Sequence, residues 1–191
     1  MNIKIELSLE EAVKIAYIEA NKLFPNLRLT EVHSYDNDDD ISNVAGNDGK
    51  RQWWYVNFGN ELDNYVSILI YNGEVCVIEK FDSNSNNGLF DLEDLLITSE
   101  EAVKKSKEIG LIGGDPLEKN DWASGYNFKV EYASLIDNPE DKKIFFEVIG
   151  YSPKGNFTHI DFDATNGEII LAEEEVTTQS GSLEWIKYNY K

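Results

Sequence analysis

The densest run of potential oxygen ligands in the chain is Asp36-Asn37-Asp38-Asp39-Asp40, and alternating carboxylates are how calcium loops begin. A helix–loop–helix calcium site needs glycine at the sixth position and a bidentate glutamate at the twelfth. Those positions hold Ile41 and Asn47. The run therefore reads as a solvated acidic loop, with a weak calcium site as the alternative. Zinc has less behind it. His33 and His159 are the only histidines and Cys76 the only thiol; they lie in three separate elements without paired ligand spacing. No metal and no cofactor is expected, and Cys76, between Val75 and Val77, reads as a small buried hydrophobe.

Covalent chemistry is equally sparse. A nucleophile needs a base and an orienting acid, and there is no Gly-x-Ser-x-Gly elbow. Gly110-Leu111-Ile112-Gly113-Gly114 lacks the lysine and helix of a phosphate loop. Paired carboxylates are too abundant to mark a glycosidase. The expectation is a protein that is not an enzyme, with a small hydrolase as a remote alternative. What remains is surface. In Trp53-Trp54-Tyr55, successive strand residues face opposite sides, so one tryptophan points inward. The other lies under a loop or a neighbouring unit, which is favoured, or marks a binding patch. The candidate partner-binding residues are thus Asp36, Asp38, Asp39, Asp40, Trp53 and Trp54.

The elements carrying these residues repeat. Residues 7–14 read Leu-Ser-Leu-Glu-Glu-Ala-Val-Lys and residues 97–104 read Ile-Thr-Ser-Glu-Glu-Ala-Val-Lys. Ser8 with Glu11, and Thr98 with Glu101, have capping-box spacing, each preceded by an apolar residue. The first helix is predicted to run to about Phe24, before Pro25, and the second to Gly110. Strand-like runs follow in both halves: Leu27–Tyr35 and Tyr126–Leu135, then Trp54–Phe58 and Phe146–Gly150, then Asn64–Ile70 and Asn156–Phe162. Each last pair of runs closes through Asn-Gly, at Asn72-Gly73 and Asn166-Gly167, a strong hairpin signal. Thr158, Ile160 and Phe162 alternate with His159, Asp161 and Asp163, so one face is buried and the other wet. Glu173-Glu174-Glu175 reads as a solvated edge, and the tail after Leu183 as a last strand or helical turn. The expected fold class is α+β, with two repeated units at 1–88 and 89–191, each a helix packed on a small antiparallel β-sheet.

With the units placed, the second, with Glu100-Glu101-Ala102-Val103 opening a helix and Phe162-Asp163-Ala164-Thr165-Asn166-Gly167-Glu168-Ile169-Ile170 in a late hairpin, resembles a PepSY domain. The first is a looser match, keeping Glu10-Glu11-Ala12-Val13 but lacking Asp-Ala before Asn72-Gly73-Glu74. The resemblance implies tandem helix-on-sheet domains and a role in inhibiting or regulating a protease. It transfers no catalytic residue.

Charge sets the partner class. The 191 residues hold 17 Lys plus Arg against 36 Asp plus Glu, a net charge of −19. Cut after Phe90, the halves carry −8 and −11, so the acidity is general. Such a field repels nucleic acid and anionic membranes and steers basic proteins inward; solubility alone is the plainer explanation. No signal-peptide core and no bilayer-length apolar stretch is present, which predicts a cytoplasmic protein, or a secreted or cell-surface one if a leader has been removed. The expected function is a non-enzymatic immunity or inhibitor protein that neutralises a basic protein toxin; regulation of a protease is the alternative.

Overall fold

The computed structural model describes residues 4–35, 44–82, 88–115, 124–135 and 138–189. Both capping boxes form. In each, the hydroxyl accepts from the glutamate backbone N–H and the glutamate carboxylate accepts from the cap N–H, at Ser8 and Glu11 and at Thr98 and Glu101. They open α1 (Leu9–Ala20) and α2 (Ser99–Glu108). Small residues at four-residue spacing line the inner stripes: Ala12, Ala16 and Ala20 on α1, Ala102 and Ser106 on α2. The helices meet at their N-termini, where Leu9 N donates to Ser99 Oγ (3.3 Å) and Ser99 N donates to Glu10 Oε1 (3.1 Å). Helix α1 stops at Ala20, short of Phe24, because residues 21–24 tighten into a turn before Pro25.

Eleven strands in chain order accompany these helices among the described residues. They are β1 (Leu7–Ser8), β2 (Arg28–Ser34), β3 (Lys50–Arg51), β4 (Trp53–Gly59), β5 (Asn64–Tyr71), β6 (Glu74–Asp82), β7 (Asn127–Leu135), β8 (Asn138–Tyr151), β9 (Phe157–Asp163), β10 (Ile169–Thr177) and β11 (Leu183–Lys187). β1 and β3 form a short ladder of their own. The other nine make one antiparallel sheet, ordered β11-β10-β9-β8-β7-β2-β4-β5-β6.

This corrects the expected fold class. The protein is mostly β, with 49% of the described residues in strands and 16% helical, and is not a pair of helix-on-sheet units. The physical reason lies at the centre. β2 and β7 would each leave a row of unpaired backbone groups if two small sheets stood apart. They pair instead, through Glu31↔Glu131, Val32↔Val130 and His33↔Lys129. Beneath that join lies one continuous core: Val32, Trp54, Val56, Phe58 and Ile68 on one side run into Phe128, Val130, Phe146, Ile160 and Phe162 on the other.

Two local expectations change as well, while a third feature, the late turn, forms where it was expected. Cys76 is exposed, because β6 is an edge strand and its Glu74–Lys80 stretch is largely bare on both faces. The turn that carries the PepSY resemblance is built around Asp163, whose carboxylate accepts from Thr165 N and Oγ1, with Gly167 at φ +70 completing it. The second change concerns the triple glutamate of β10, which is not an edge: β11 covers that side.

Strand alternation turns Glu174 into the core, where it is 1% exposed. Its carboxylate accepts from Asn156 Nδ2 (2.8 Å) and Lys154 Nζ (3.2 Å). Burial works the other way, but the hydrogen bonds from Asn156, Ser152 and Lys154 hold its pKa below the ordinary 4.5. A carboxyl depressed on folding contributes stability that is present above its unfolded pKa and lost as pH falls through the folded value. Glu174→Gln is therefore expected to cost about 1–3 kcal/mol near pH 7 and to flatten the loss of stability below about pH 4.5. Urea melts between pH 3 and 7 read both effects; an unchanged acid limb would remove Glu174 from the explanation.

Candidate functional site on the open face of the sheet

Both helices lie on one side of the sheet, and among the described residues no helix covers the opposite side. Cross-strand partners share a face, which gives an unbroken row there: Leu171, Asp161, Glu147, Lys129, His33, Tyr55, Leu69 and Val77, one from each of eight neighbouring strands. Around this row the face divides by chemistry.

The β8–β10 portion is ionic. His159 Nδ1 lies 2.9 Å from Glu147 Oε1 and 3.7 Å from Asp161 Oδ1, while Nε2 lies 3.5 Å from Glu173 Oε2. One imidazole thus faces three carboxylates, and all four side chains are less than a quarter exposed. Burial opposes protonation of His159, but Glu147, Asp161 and Glu173 together raise its pKa to about 8. Burial also pushes Asp161 up to about 7; His159 counteracts the shift, while Glu147 and Glu173 add to it. The pair titrates as a unit. Asp161 Oδ1 is buried and accepts no hydrogen bond among the described residues.

At the join, Glu31 and Glu131 stand directly opposite one another, a pairing that like charges disfavour. Lys129 relieves it, with Nζ 2.8 Å from Glu131 and 4.0 Å from Glu31. His33, 3.2 Å from Glu31, holds that carboxyl below its ordinary pKa against burial, with help from Lys129 and Asn57.

Aromatic rings flank the acids. Trp53 stacks on Tyr71 at 4.1 Å between centroids, Tyr35 meets Trp53 and Tyr55 edge-on, and His33 stacks on Tyr55 at 5.2 Å. At the other end Trp185 of β11 leans over His159 at 4.7 Å and touches Phe157. A cavity of about 290 Å³ opens beside His159, bounded by Lys129, Phe145, Glu147, Asp161 and Leu171.

Of the residues singled out in the sequence, Trp53 lies on this open face and Trp54 is wholly buried, with no surface to offer a partner. Asp36, Asp38, Asp39 and Asp40 fall outside the described residues. His159 is where its strand alternation placed it. The assembly of Glu147, Asp161 and Glu173 around it was not foreseen, although His159 and Asp161 two apart on a wet strand face were a visible signal.

The arrangement favours holding cations over covalent chemistry. Among the described residues the hydrogen bond of His159 goes to Glu147 and not to a hydroxyl or thiol, so His159 is not paired with a nucleophile there. No helix among them is long and apolar enough to cross a membrane. Comparison with family models, curated proteins and solved structures finds no match.

Proposed function

We propose that this protein is a non-enzymatic inhibitor or immunity protein that captures a basic protein toxin on the open face of its sheet. One observation carries the reading. Glu31, Glu131, Glu147, Asp161 and Glu173 crowd the face opposite the helices, where Lys129, His33 and His159 are the basic side chains in contact with them among the described residues. Against a net charge of −19, that face concentrates a field that draws a basic surface in quickly. The flanking Trp53, Tyr71 and Trp185 supply aromatic anchors that slow release.

The test is capture from the producing cell, followed by inhibition. The captured protein is expected to be basic, and its toxic activity to fall on one-to-one addition of this chain. Glu31→Lys with Glu131→Lys is expected to weaken the complex by at least about ten-fold, with a steeper loss for wild type as salt rises. A partner of neutral or acidic charge, or a complex indifferent to the charge-reversed pair, sinks the proposal. The second reading, a PepSY-like regulator of a protease, is supported by the Asp163–Gly167 turn; it predicts that the captured protein is a protease whose turnover slows on binding.

A further inference from the structure

We infer that His159, Glu147 and Asp161 form a binding site for one divalent transition cation of the zinc type, with Glu173 as the outer residue that orients the imidazole. The inference goes beyond the capture of a basic partner and does not depend on it.

The geometry comes from strand register. His159 and Asp161 are two apart on β9 and so share a face, and β8 brings Glu147 opposite Asp161. One ligand atom from each of the three can be chosen so that all lie within 4.8 Å of one another. Zinc bonds nitrogen and carboxylate oxygen at about 2.0–2.2 Å, so two of its tetrahedral ligands sit about 3.4 Å apart. The separations from His159 Nδ1, 2.9 Å to Glu147 and 3.7 Å to Asp161, straddle that value. The third edge, between the Glu147 and Asp161 oxygens, is bounded at 4.8 Å, so binding requires the two carboxylates to rotate toward each other.

Three further observations point to a cation. The imidazole has a carboxylate on each side: Glu173 faces Nε2 at 3.5 Å, leaving Nδ1 directed at Glu147 and Asp161. A carboxylate behind a ligating histidine is how metal sites fix the ring and raise its donor strength. Next, the buried Asp161 Oδ1 has no hydrogen-bond donor among the described residues, and a buried carboxylate oxygen left in this state is costly. Finally, carboxylates outnumber the basic groups around the site. Three carboxylates surround one imidazole, and the nearest lysine across the register, Lys129, is engaged with Glu131 at 2.8 Å.

The donor set also selects the ion. Calcium and magnesium want six or more oxygen ligands or a largely hydrated shell, whereas an imidazole nitrogen with two carboxylates suits zinc, iron, nickel or cobalt. Trp185 and Phe157 shield one flank. The cavity leaves a fourth position for water or for a side chain of whatever docks there.

Calorimetric titration of the metal-stripped full chain with Zn²⁺ tests this, because it needs no partner and fails independently of the binding role. The expected result is one saturating site per chain that excess Mg²⁺ or Ca²⁺ does not displace. His159→Gln is expected to weaken it by at least about 100-fold and Glu173→Gln by about ten-fold, with His33→Gln unchanged. Circular dichroism confirms that each variant is folded. X-ray absorption on the Co²⁺-loaded wild-type chain gives a readout independent of any variant: one imidazole with oxygen donors. The inference is overturned by the absence of saturable Zn²⁺ binding, by binding that survives His159→Gln, by an all-oxygen or two-imidazole shell, or by a site that disappears with Asp38→Asn and Asp40→Asn instead.

Discussion

Trp54→Ala is expected to remove about 3–5 kcal/mol of stability, the upper range for a single core truncation. Its indole is fully buried, and Nε1 donates to Leu7 O (3.0 Å) and Arg51 O (3.1 Å), tying the small β1–β3 ladder to the main sheet. It also stacks on Phe128 at 6.0 Å, and Phe128 meets Phe146 edge-on at 6.4 Å. The ring therefore bridges the join between β2 and β7 from below. Alanine leaves a cavity and two carbonyls short of a donor. Trp54→Phe separates the two losses: it keeps most of the ring and forfeits the hydrogen bonds, and is expected to cost about 1–2 kcal/mol. Urea unfolding reads both, and because one core runs without a break under β2, β4, β5 and β7 to β10, each variant is expected to unfold in a single transition. A loss below about 1 kcal/mol for alanine would show that the halves do not share this ring.

Asp161→Asn is expected to do the opposite in metal-free buffer, stabilising the protein at pH 8 by about 1–2 kcal/mol. Asp161 is surrounded by His159, Glu147 and Glu173, and burial raises its pKa from 3.8 to about 7. A carboxyl raised on folding binds more protons in the native state, so stability falls as pH climbs between those two values. His159 acts in the same direction. Its pKa rises from 6.5 to about 8, so its contribution is full below 6.5 and is lost as pH rises through 8. Wild type should therefore weaken from about pH 5 to pH 8, while the asparagine variant, with the same shape and no charge, weakens less. Thermal melts at pH 5 and pH 8 with a chelator present decide it; a variant less stable than wild type at pH 8 would overturn the charge argument. The same substitution is expected to weaken Zn²⁺ binding, the usual opposition between a relaxed site and a working one.

The sequence made the local devices legible and hid the long-range ones. Ser8 with Glu11 and Thr98 with Glu101 were readable because a capping box is complete within four residues. Asn72-Gly73 and Asn166-Gly167 announced their turns, and Thr158–Asp163 showed its two faces by alternation alone. The union of the sheets was not readable, because it depends on Val32 meeting Val130, and nothing local in either strand names its partner. Cys76 misled for a related reason: an apolar run such as Val75–Ile78 reads as interior until the strand order makes it an edge. Glu174 misled because the composition of a triple glutamate outweighed the period of two that turns its middle member inward. The His159 cluster was half visible. The spacing of His159 and Asp161 lies on one strand, but Glu147 and Glu173 reach it only through register.

Fusing the strands into one sheet also fixes the shape of what can be recognised. Neighbouring strands are rotated by about 20–25° on average, so the row from Leu171 to Val77, crossing eight strands, turns through roughly 150° from end to end. The aromatic stack at Trp53 on β4 and the ionic cluster at His159 on β9 are four strand steps apart, which at that average twist turns one from the other by roughly 80–100°. A flat object can rest on one of them. Touching both requires an occupant whose own surface winds with the same handedness, so curvature discriminates among equally charged candidates.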